Sequence, residues 1–166
     1  RDGLESIATR VRAQGTRTAL VLGDLTDPAI GEELVAQAGR SFGRLDWVVA
    51  NAGFPILKDL SDGTLADLER GFRGNAFSFF EIARAAADLL ARSDAGRIVA
   101  IGSFTSHLFR TDIRQFPLSA ASKGALETLV KSLAMHFAPG GVTVNCVVPG
   151  FIQKEAGTED SVSAEE

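Results

Sequence analysis

Residues 97–101 read RIVAI, residues 117–137 read PLSAASKGALETLVKSLAMHF, and residues 142–148 read VTVNCVV. The two short runs are rich in β-branched residues and predict strands, while the longer stretch carries apolar residues at helical spacing. That helix is expected to begin at its proline and to end at the PGG of 139–141. A strand, a helix and a second strand predict a βαβ unit of a parallel sheet. We expect the second strand to be buried on both faces, because it is continuously apolar.

The same alternation continues toward the amino end of the chain. It predicts helices over 2–14, 28–42 and 64–91, and strands over 18–22 and 47–50. Helices and strands that alternate in this way are typical of an α/β fold with a doubly wound parallel sheet. Because an opening helix needs a preceding strand to pack on, we expect a βα unit to be missing before the first residue.

Two of the predicted helices carry further local signals. The second is expected to be capped by Asp27 and to start at Pro28, a pair that suits a helix amino end. Its buried face is predicted to consist of Ile30, Leu34, Val35, Ala38 and Phe42. The third helix is predicted to break softly near Gly71 and Gly74.

Composition limits the classes of partner. The chain has 166 residues, 45% of them apolar, and a formal net charge of −4, so we expect one globular domain without a nucleic acid partner. No apolar run approaches the roughly 20 residues of a membrane span. A lone cysteine, Cys146, allows no disulfide and predicts a reducing, cytoplasmic setting. His107 and His136 have no metal-ligand spacing, so no metal site is expected.

Small and polar residues follow the predicted strands, at the sheet edge where α/β proteins bind ligands. Asn51, Ala52 and Gly53 come directly after the strand 47–50, and Ser103 comes shortly after the strand 97–101. Each also has a simpler interpretation. Asn-Ala-Gly is a common turn, and a serine after a strand often bonds its own backbone.

Three other polar positions belong to the same pattern. Asp24 follows the predicted strand 18–22 and either bonds a ligand or caps the next helix. Ser119 and Lys123 stand four residues apart, so their side chains share one face of a helix. Asn75 lies within a helical pattern, where an amide is more often solvated than functional.

Six stretches in a fixed order carry a resemblance. They are VLGDLTD (21–27), ANAG (50–53), GNAFSFF (74–80), RIVAIGS (97–103), SAASKGALETLVKSLA (119–134) and VTVNCVVPGFI (142–152). In this order they resemble the short-chain dehydrogenase/reductase family over residues 1–152. The resemblance implies a Rossmann-like, three-layer α/β/α domain over that range, truncated at both ends, with residues 153–166 as an acidic tail that starts a substrate lid.

The resemblance also implies a cofactor and a reaction. Such enzymes move a hydride between NAD or NADP and a carbonyl or alcohol carbon of a small molecule; the choice between NAD and NADP stays open. Asp24 and Leu25 would lie near the adenine, and Asn51, Ala52 and Gly53 would line the ribose side of the groove. The nicotinamide would be bordered by Pro149, Gly150 and Ile152.

The family's catalytic set maps onto Asn75, Ser103 and Lys123. By resemblance Ser103 binds the substrate oxygen, Lys123 holds the nicotinamide ribose, and Asn75 holds a water in the proton relay. The departure is Ser119, which occupies the position of the family's catalytic tyrosine in a chain without any tyrosine. A serine hydroxyl is far less acidic than a phenol, so we expect the chemistry to be impaired. Weak substitutes would be Ser122, His107 or a water held by Lys123.

Other departures concern the cofactor and the substrate. The family's glycine-rich turn, which grips the pyrophosphate, would belong before Arg1. Lys154 stands where many members have a threonine, and it points either to a cofactor phosphate or into solvent. The loop 104–116, with its phenylalanines, either flanks an apolar substrate or covers a subunit contact.

Two functional hypotheses follow. The first is a short-chain oxidoreductase whose full polypeptide exceeds 17.5 kDa, and the second is a non-catalytic relative that keeps the scaffold for binding or assembly. A halide-releasing relative fits less well, because that chemistry also uses a tyrosine and places arginine where Lys123 stands. Helices over 75–91 and 117–137 resemble those that pair across subunits, so a homodimer or homotetramer is expected. Ala83, Ala86 and Ala87 would then allow close approach, or they pack within one subunit.

Overall fold

The computed structural model describes residues 2–152. Its elements, in chain order, are α1 (Asp2–Arg12), α2 (Pro28–Phe42), β1 (Trp47–Ala50), α3 (Leu65–Phe72), a π-helical turn (Arg73–Phe77), α4 (Ser78–Ala91), β2 (Arg97–Ile101), α5 (Pro117–Phe137) and β3 (Thr143–Val147). The three strands pair in parallel in the order β1-β2-β3, with Val48 opposite Ile98 and Ile98 opposite Val144. The predicted α/β class with a parallel sheet is confirmed.

Local signals fix several helix ends as predicted. Asp27 caps α2 by accepting a hydrogen bond from the Ala29 N–H at 3.0 Å. Gly43 ends α2 with a φ of +74°, a left-handed conformation that glycine adopts at little cost. The predicted break near Gly71 and Gly74 is a π-helical turn over 73–77, which separates α3 from α4.

The strand predicted over 18–22 is wrong, because those residues form no strand. A β-branched, apolar run favours extended backbone, but a strand also requires a neighbour that completes the hydrogen-bond ladder. Within residues 2–152 the strands β1 to β3 pair only with one another.

Two burial predictions are also corrected. β3 is not buried on both faces: Val144 is 6% exposed, whereas Val147 is 52% exposed. β3 has a paired strand on one side only among the described residues, and an apolar composition does not by itself supply a covering layer. In α2, Val35 is buried, but Leu34 and Phe42 are exposed by 36% and 39%. The helix therefore buries a narrower stripe than its apolar residues span.

The core lies where the sheet meets α4 and α5. Its buried side chains include Val48, Phe79, Leu90, Ile98, Leu126, Val130 and Val144. Ala83 and Ala86, at 1% and 0% exposure, belong to the same cluster. Ala83 and Ala86 therefore pack within the subunit, whereas Ala87 is only partly buried and both interpretations stay open for it. No helix within residues 2–152 is both long and apolar enough to span a membrane.

Candidate active site

The loops that follow the strands meet at the carboxyl edge of the sheet. The Phe104 N–H donates to the Pro149 carbonyl at 3.1 Å, and the Gly102 N–H donates to the Val147 carbonyl at 2.8 Å. The loop after β2 is thereby held beside the loop after β3. The parallel order of the sheet places the turn after β1 on the same edge.

Asn75 and Lys123 converge on Gly53. A Cβ atom added to Gly53 would lie 2.7 Å from Asn75 Oδ1 and 3.2 Å from Lys123 Nζ, so the two polar groups occupy the space that any other residue would fill. Lys123 Nζ also donates to the Ile101 carbonyl at 2.8 Å. Burial lowers the pKa of Lys123, and Cys146 and Glu127 oppose this shift. The turn after β1 thus packs against Asn75 and against Lys123 of α5, and the Lys123 ammonium is itself bonded to the end of β2.

Asn75 lies in the π-helical turn and is only 2% exposed, so the interpretation as a solvated amide is wrong. Its Nδ2 donates to Ser122 Oγ at 3.0 Å. Its Oδ1 is buried and accepts no hydrogen bond from the described residues. An unsatisfied buried acceptor costs about 1–3 kcal/mol, so each such group in a native protein calls for an explanation, such as a functional role or a bound water. Asn75 Oδ1 beside the Lys123 ammonium fits a bound polar group that carries a hydroxyl.

Ser103 is placed by both local and long-range hydrogen bonds. Its Oγ accepts from the Thr105 N–H at 3.3 Å and from Thr105 Oγ1 at 2.9 Å, so it caps the short 3₁₀ turn 104–106. The backbone-bonding interpretation is therefore correct for one of these two contacts, since the other partner is the Thr105 hydroxyl. Ser103 Oγ acts as acceptor in both, which leaves its own proton available to a substrate oxygen.

Ser119 has a different environment from that of an acid–base residue. It is 7% exposed, and its Oγ accepts from the Ile56 N–H at 2.7 Å and donates to the Ile56 carbonyl at 3.1 Å. The hydroxyl proton is committed to a backbone carbonyl. Ser119 therefore fastens the loop after β1 to α5. Nothing in the sequence indicates this pairing, because Ile56 takes part only through its backbone.

The two side chains considered as substitute proton donors are also occupied. Ser122 is fully buried and its Oγ donates to the Ser119 carbonyl at 3.1 Å. His107 Nε2 lies 2.6 Å from Glu127 Oε2. Glu127 is a site residue that sequence reasoning missed. The available signal was its spacing, since it follows Lys123 by four residues and falls on the same stripe as the buried Leu126 and Val130.

The predicted cofactor residues divide into two groups. Leu25, Asn51 and Ala52 line a cavity of about 110 Å³ together with Asn75, and Leu25 also borders an adjoining cavity of about 410 Å³. The Asp24 carboxylate instead accepts from the Thr26 N–H at 2.9 Å, which lowers its pKa below 3.8. Asp24 therefore does not cap the next helix, because Asp27 holds that position and the Asp24 bond closes its own turn.

Of the residues after β3 that were predicted to border the nicotinamide, only Pro149 contacts another part of the site. Pro149 contacts the loop of Ser103 through its carbonyl. Gly150 and Ile152 are exposed and line neither cavity. Lys154 lies outside the described residues.

Comparison with known proteins identifies the family. The family model described as Enoyl-(Acyl carrier protein) reductase matches residues 1–165. Versicolorin reductase 1 of Aspergillus parasiticus is 32% identical over 155 residues, which cover 93% of this chain and 58% of that reductase. The L-rhamnose 1-dehydrogenase (NAD(P)(+)) of a Sphingomonas species is 28% identical over 162 residues, which cover 97% of this chain and 63% of that enzyme.

Solved structures give the same answer. A short chain dehydrogenase from Burkholderia cenocepacia J2315 in complex with NADP matches with a TM-score of 0.86 and 32% identity, covering 97% of this chain and 64% of that chain. A blue fluorescent protein from a metagenomic library in complex with NADPH matches with a TM-score of 0.84 and 32% identity, covering 95% of this chain and 62% of that chain. The chain spans less than two thirds of the length of these four relatives. It belongs to the short-chain dehydrogenase/reductase family.

Proposed function

We propose that the chain carries the cofactor and substrate side chains of an NAD(P)-dependent oxidoreductase acting on a small carbonyl or alcohol compound. The observation that supports this most is the meeting of Asn75 Oδ1 and Lys123 Nζ over Gly53. Relatives solved with NADP and NADPH support a nicotinamide dinucleotide without choosing between NAD and NADP for this chain. In this proposal residues 1–152 form part of the dinucleotide-binding domain, and residues 153–166 start a lid over the substrate.

Each polar group then has a task. When bound, the nicotinamide dinucleotide supplies or accepts the hydride. The Lys123 ammonium, already oriented by the Ile101 carbonyl, binds the hydroxyls of the nicotinamide ribose. Asn75 Oδ1 accepts a hydrogen bond from a ligand hydroxyl or a water. Ser103 donates its free proton to the substrate oxygen and orients the carbonyl.

The proton step is the weak point of this chemistry. Ser119 is bonded to Ile56 through both its lone pair and its proton, and it has no acidic hydroxyl to offer. A positioned acid–base group contributes about 10² to 10⁴ in rate, so turnover without it should be lower by a similar factor. The same observation supports the second candidate function, a non-catalytic relative that binds the dinucleotide.

Cofactor binding is the first test. NADPH fluorescence is titrated with the wild type, Lys123→Met and Lys131→Met. Both lysines lie on α5, but Lys131 is exposed and serves as the control. We expect Lys123→Met to weaken binding at least tenfold and Lys131→Met to leave it unchanged. Absence of saturable binding to the wild type, or equal affinities for the two variants, would overturn the proposed site.

Turnover separates the two candidate functions. NADPH oxidation is followed at 340 nm with 9,10-phenanthrenequinone as a carbonyl probe, for the wild type and for Ser119→Tyr. A rise of about 10² to 10⁴ in the variant identifies an oxidoreductase that lacks one group. NADPH binding with no turnover in either protein identifies the binding module.

Assembly and setting complete the proposal. Exposed apolar side chains stand on the π-helical turn, α4 and α5, where Phe77, Phe80 and Met135 are 54%, 41% and 76% exposed. These surfaces support a homodimer or homotetramer, which light scattering on the purified protein would detect. Cys146 is a free thiol, which suits a reducing compartment such as the cytoplasm.

A further inference from the structure

Glu127 is a carboxylate in an unusual place. Among residues 3–152 it is the only Asp or Glu that is buried, with 7% exposure in the middle of α5. A buried carboxylate is costly unless hydrogen bonds and a cation compensate it. Its neighbours on the helix face, Leu126 and Val130, are ordinary core residues. A glutamate at this position therefore requires a reason other than core packing.

The contacts of Glu127 all lead to the loop that carries Ser103. Oε1 accepts from the Ser103 N–H at 3.3 Å, and Oε2 lies 2.6 Å from His107 Nε2. These two residues are the ends of one short turn, which is closed internally by the His107 N–H donating to the Phe104 carbonyl at 2.9 Å. One carboxylate thus holds both ends of the turn against α5.

Gly102 makes this contact possible. A Cβ atom at Gly102 would lie 2.5 Å from Glu127 Oε1 and 2.9 Å from Cys146 Sγ. Only a glycine lets the carboxylate come this close to the backbone after β2. Gly124, on α5 itself, has nothing within 4 Å of an added Cβ and provides a matched comparison.

The same face of α5 also fixes Ile101, the residue that precedes Gly102. Lys123, one helical turn before Glu127, donates to the Ile101 carbonyl at 2.8 Å. Ile101 and Ser103 are therefore attached to two successive turns of α5. The distance between the Lys123 ammonium and the Ser103 hydroxyl is set by this rigid helix.

We propose that Glu127, with His107 as its partner, is a positioning residue that holds the Ser103 hydroxyl in register with the Lys123 ammonium. The role of Ser103 rests on the proposed function, but the attachment of its loop does not. Glu127 touches no reacting atom, and its positioning role works through its contacts with the Ser103 N–H and with His107. Glu127→Gln should preserve this role, because the amide oxygen accepts from the same N–H and the amide nitrogen can donate to a ring nitrogen of His107.

The first test needs no activity. Amide hydrogen exchange at Ser103 is measured by NMR in the wild type and in Glu127→Ala, Glu127→Gln, Gly102→Ala and Gly124→Ala. Exchange should accelerate at least tenfold in Glu127→Ala and Gly102→Ala and stay within threefold of the wild type in the other two. Unchanged exchange at Ser103 in Glu127→Ala would overturn the proposal whether or not the chain proves to be an enzyme.

The second test separates positioning from general stability. With NADPH and 9,10-phenanthrenequinone, Glu127→Ala should lower kcat at least tenfold while the KM for NADPH stays within threefold, and Glu127→Gln should recover most of the rate. A purely structural role predicts instead a loss of folded protein with normal kcat per folded molecule, which would contradict the proposal. If the wild type shows no NADPH binding, the proposed function fails, and the exchange experiment alone decides the role of Glu127.

Discussion

Replacing Ser119 by alanine should destabilise the fold, although its position in the sequence is that of a catalytic residue. The change removes two hydrogen bonds to Ile56, at 2.7 Å and 3.1 Å, and leaves a backbone N–H and a carbonyl unpaired at a residue that is 7% exposed. A typical intramolecular hydrogen bond contributes about 0.5–1.5 kcal/mol net, so the two together are worth about 1–3 kcal/mol. The higher helix propensity of alanine returns only a few tenths of a kcal/mol.

Urea unfolding followed by circular dichroism measures the free energy of unfolding. Ser132→Ala is the matched control, because Ser132 lies on the same helix and is exposed. We expect Ser119→Ala to be less stable than Ser132→Ala by about 1–3 kcal/mol, with the same m-value. A difference under about 0.5 kcal/mol would refute the assignment of Ser119 as an anchor of the loop after β1.

Two further predictions concern packing and pH. Gly53→Ala should destabilise the chain by about 1–3 kcal/mol and weaken NADPH binding, because the added methyl would lie 2.7 Å from the buried Asn75 Oδ1. Gly124→Ala, which meets no atom within 4 Å, should match or exceed the wild type in thermal melts. Hydrogen bonding, first of all from Lys58, lowers the pKa of Asp67 from 3.8 to about 2 in the folded chain. Because the folded pKa is the lower one, this stabilisation is complete above about pH 4 and is lost as the pH falls toward 2. The free energy of unfolding should fall less over that pH range in Asp67→Asn than in the wild type. An equal fall in the two proteins would contradict this prediction.

The sequence predicted the elements whose signals are local. Asp27 with Pro28 marked the start of α2, the strands 47–50 and 97–101 were placed correctly, and the glycines at 71 and 74 marked the break before α4. These features depend on residues within one turn of each other. The strand over 18–22 and the double burial of β3 were wrong because each depends on a neighbour that composition does not specify.

The site divides in the same way. Asn75 and Lys123 were identified from motif order, and the structure places both at Gly53. The environment of Ser119 was beyond sequence reasoning, because its partner is a backbone 63 residues away. Glu127 was missed because a glutamate within a helix is usually solvated, and only its position on the buried stripe indicates otherwise.

A single face of α5 organises the whole site. Its polar residues Ser119, Ser122, Lys123 and Glu127 are bonded to Ile56, Asn75, Ile101 and Ser103, which lie on three separate segments of the chain. Each bond fixes a backbone or side-chain group at the carboxyl edge of the sheet, and none of them requires a phenol. The frame that places the Lys123 ammonium and the Ser103 hydroxyl is therefore independent of the acid–base group. Under the proposed function, a chain without that group would lack proton transfer and keep the binding geometry, so NADPH affinity and turnover must be measured separately.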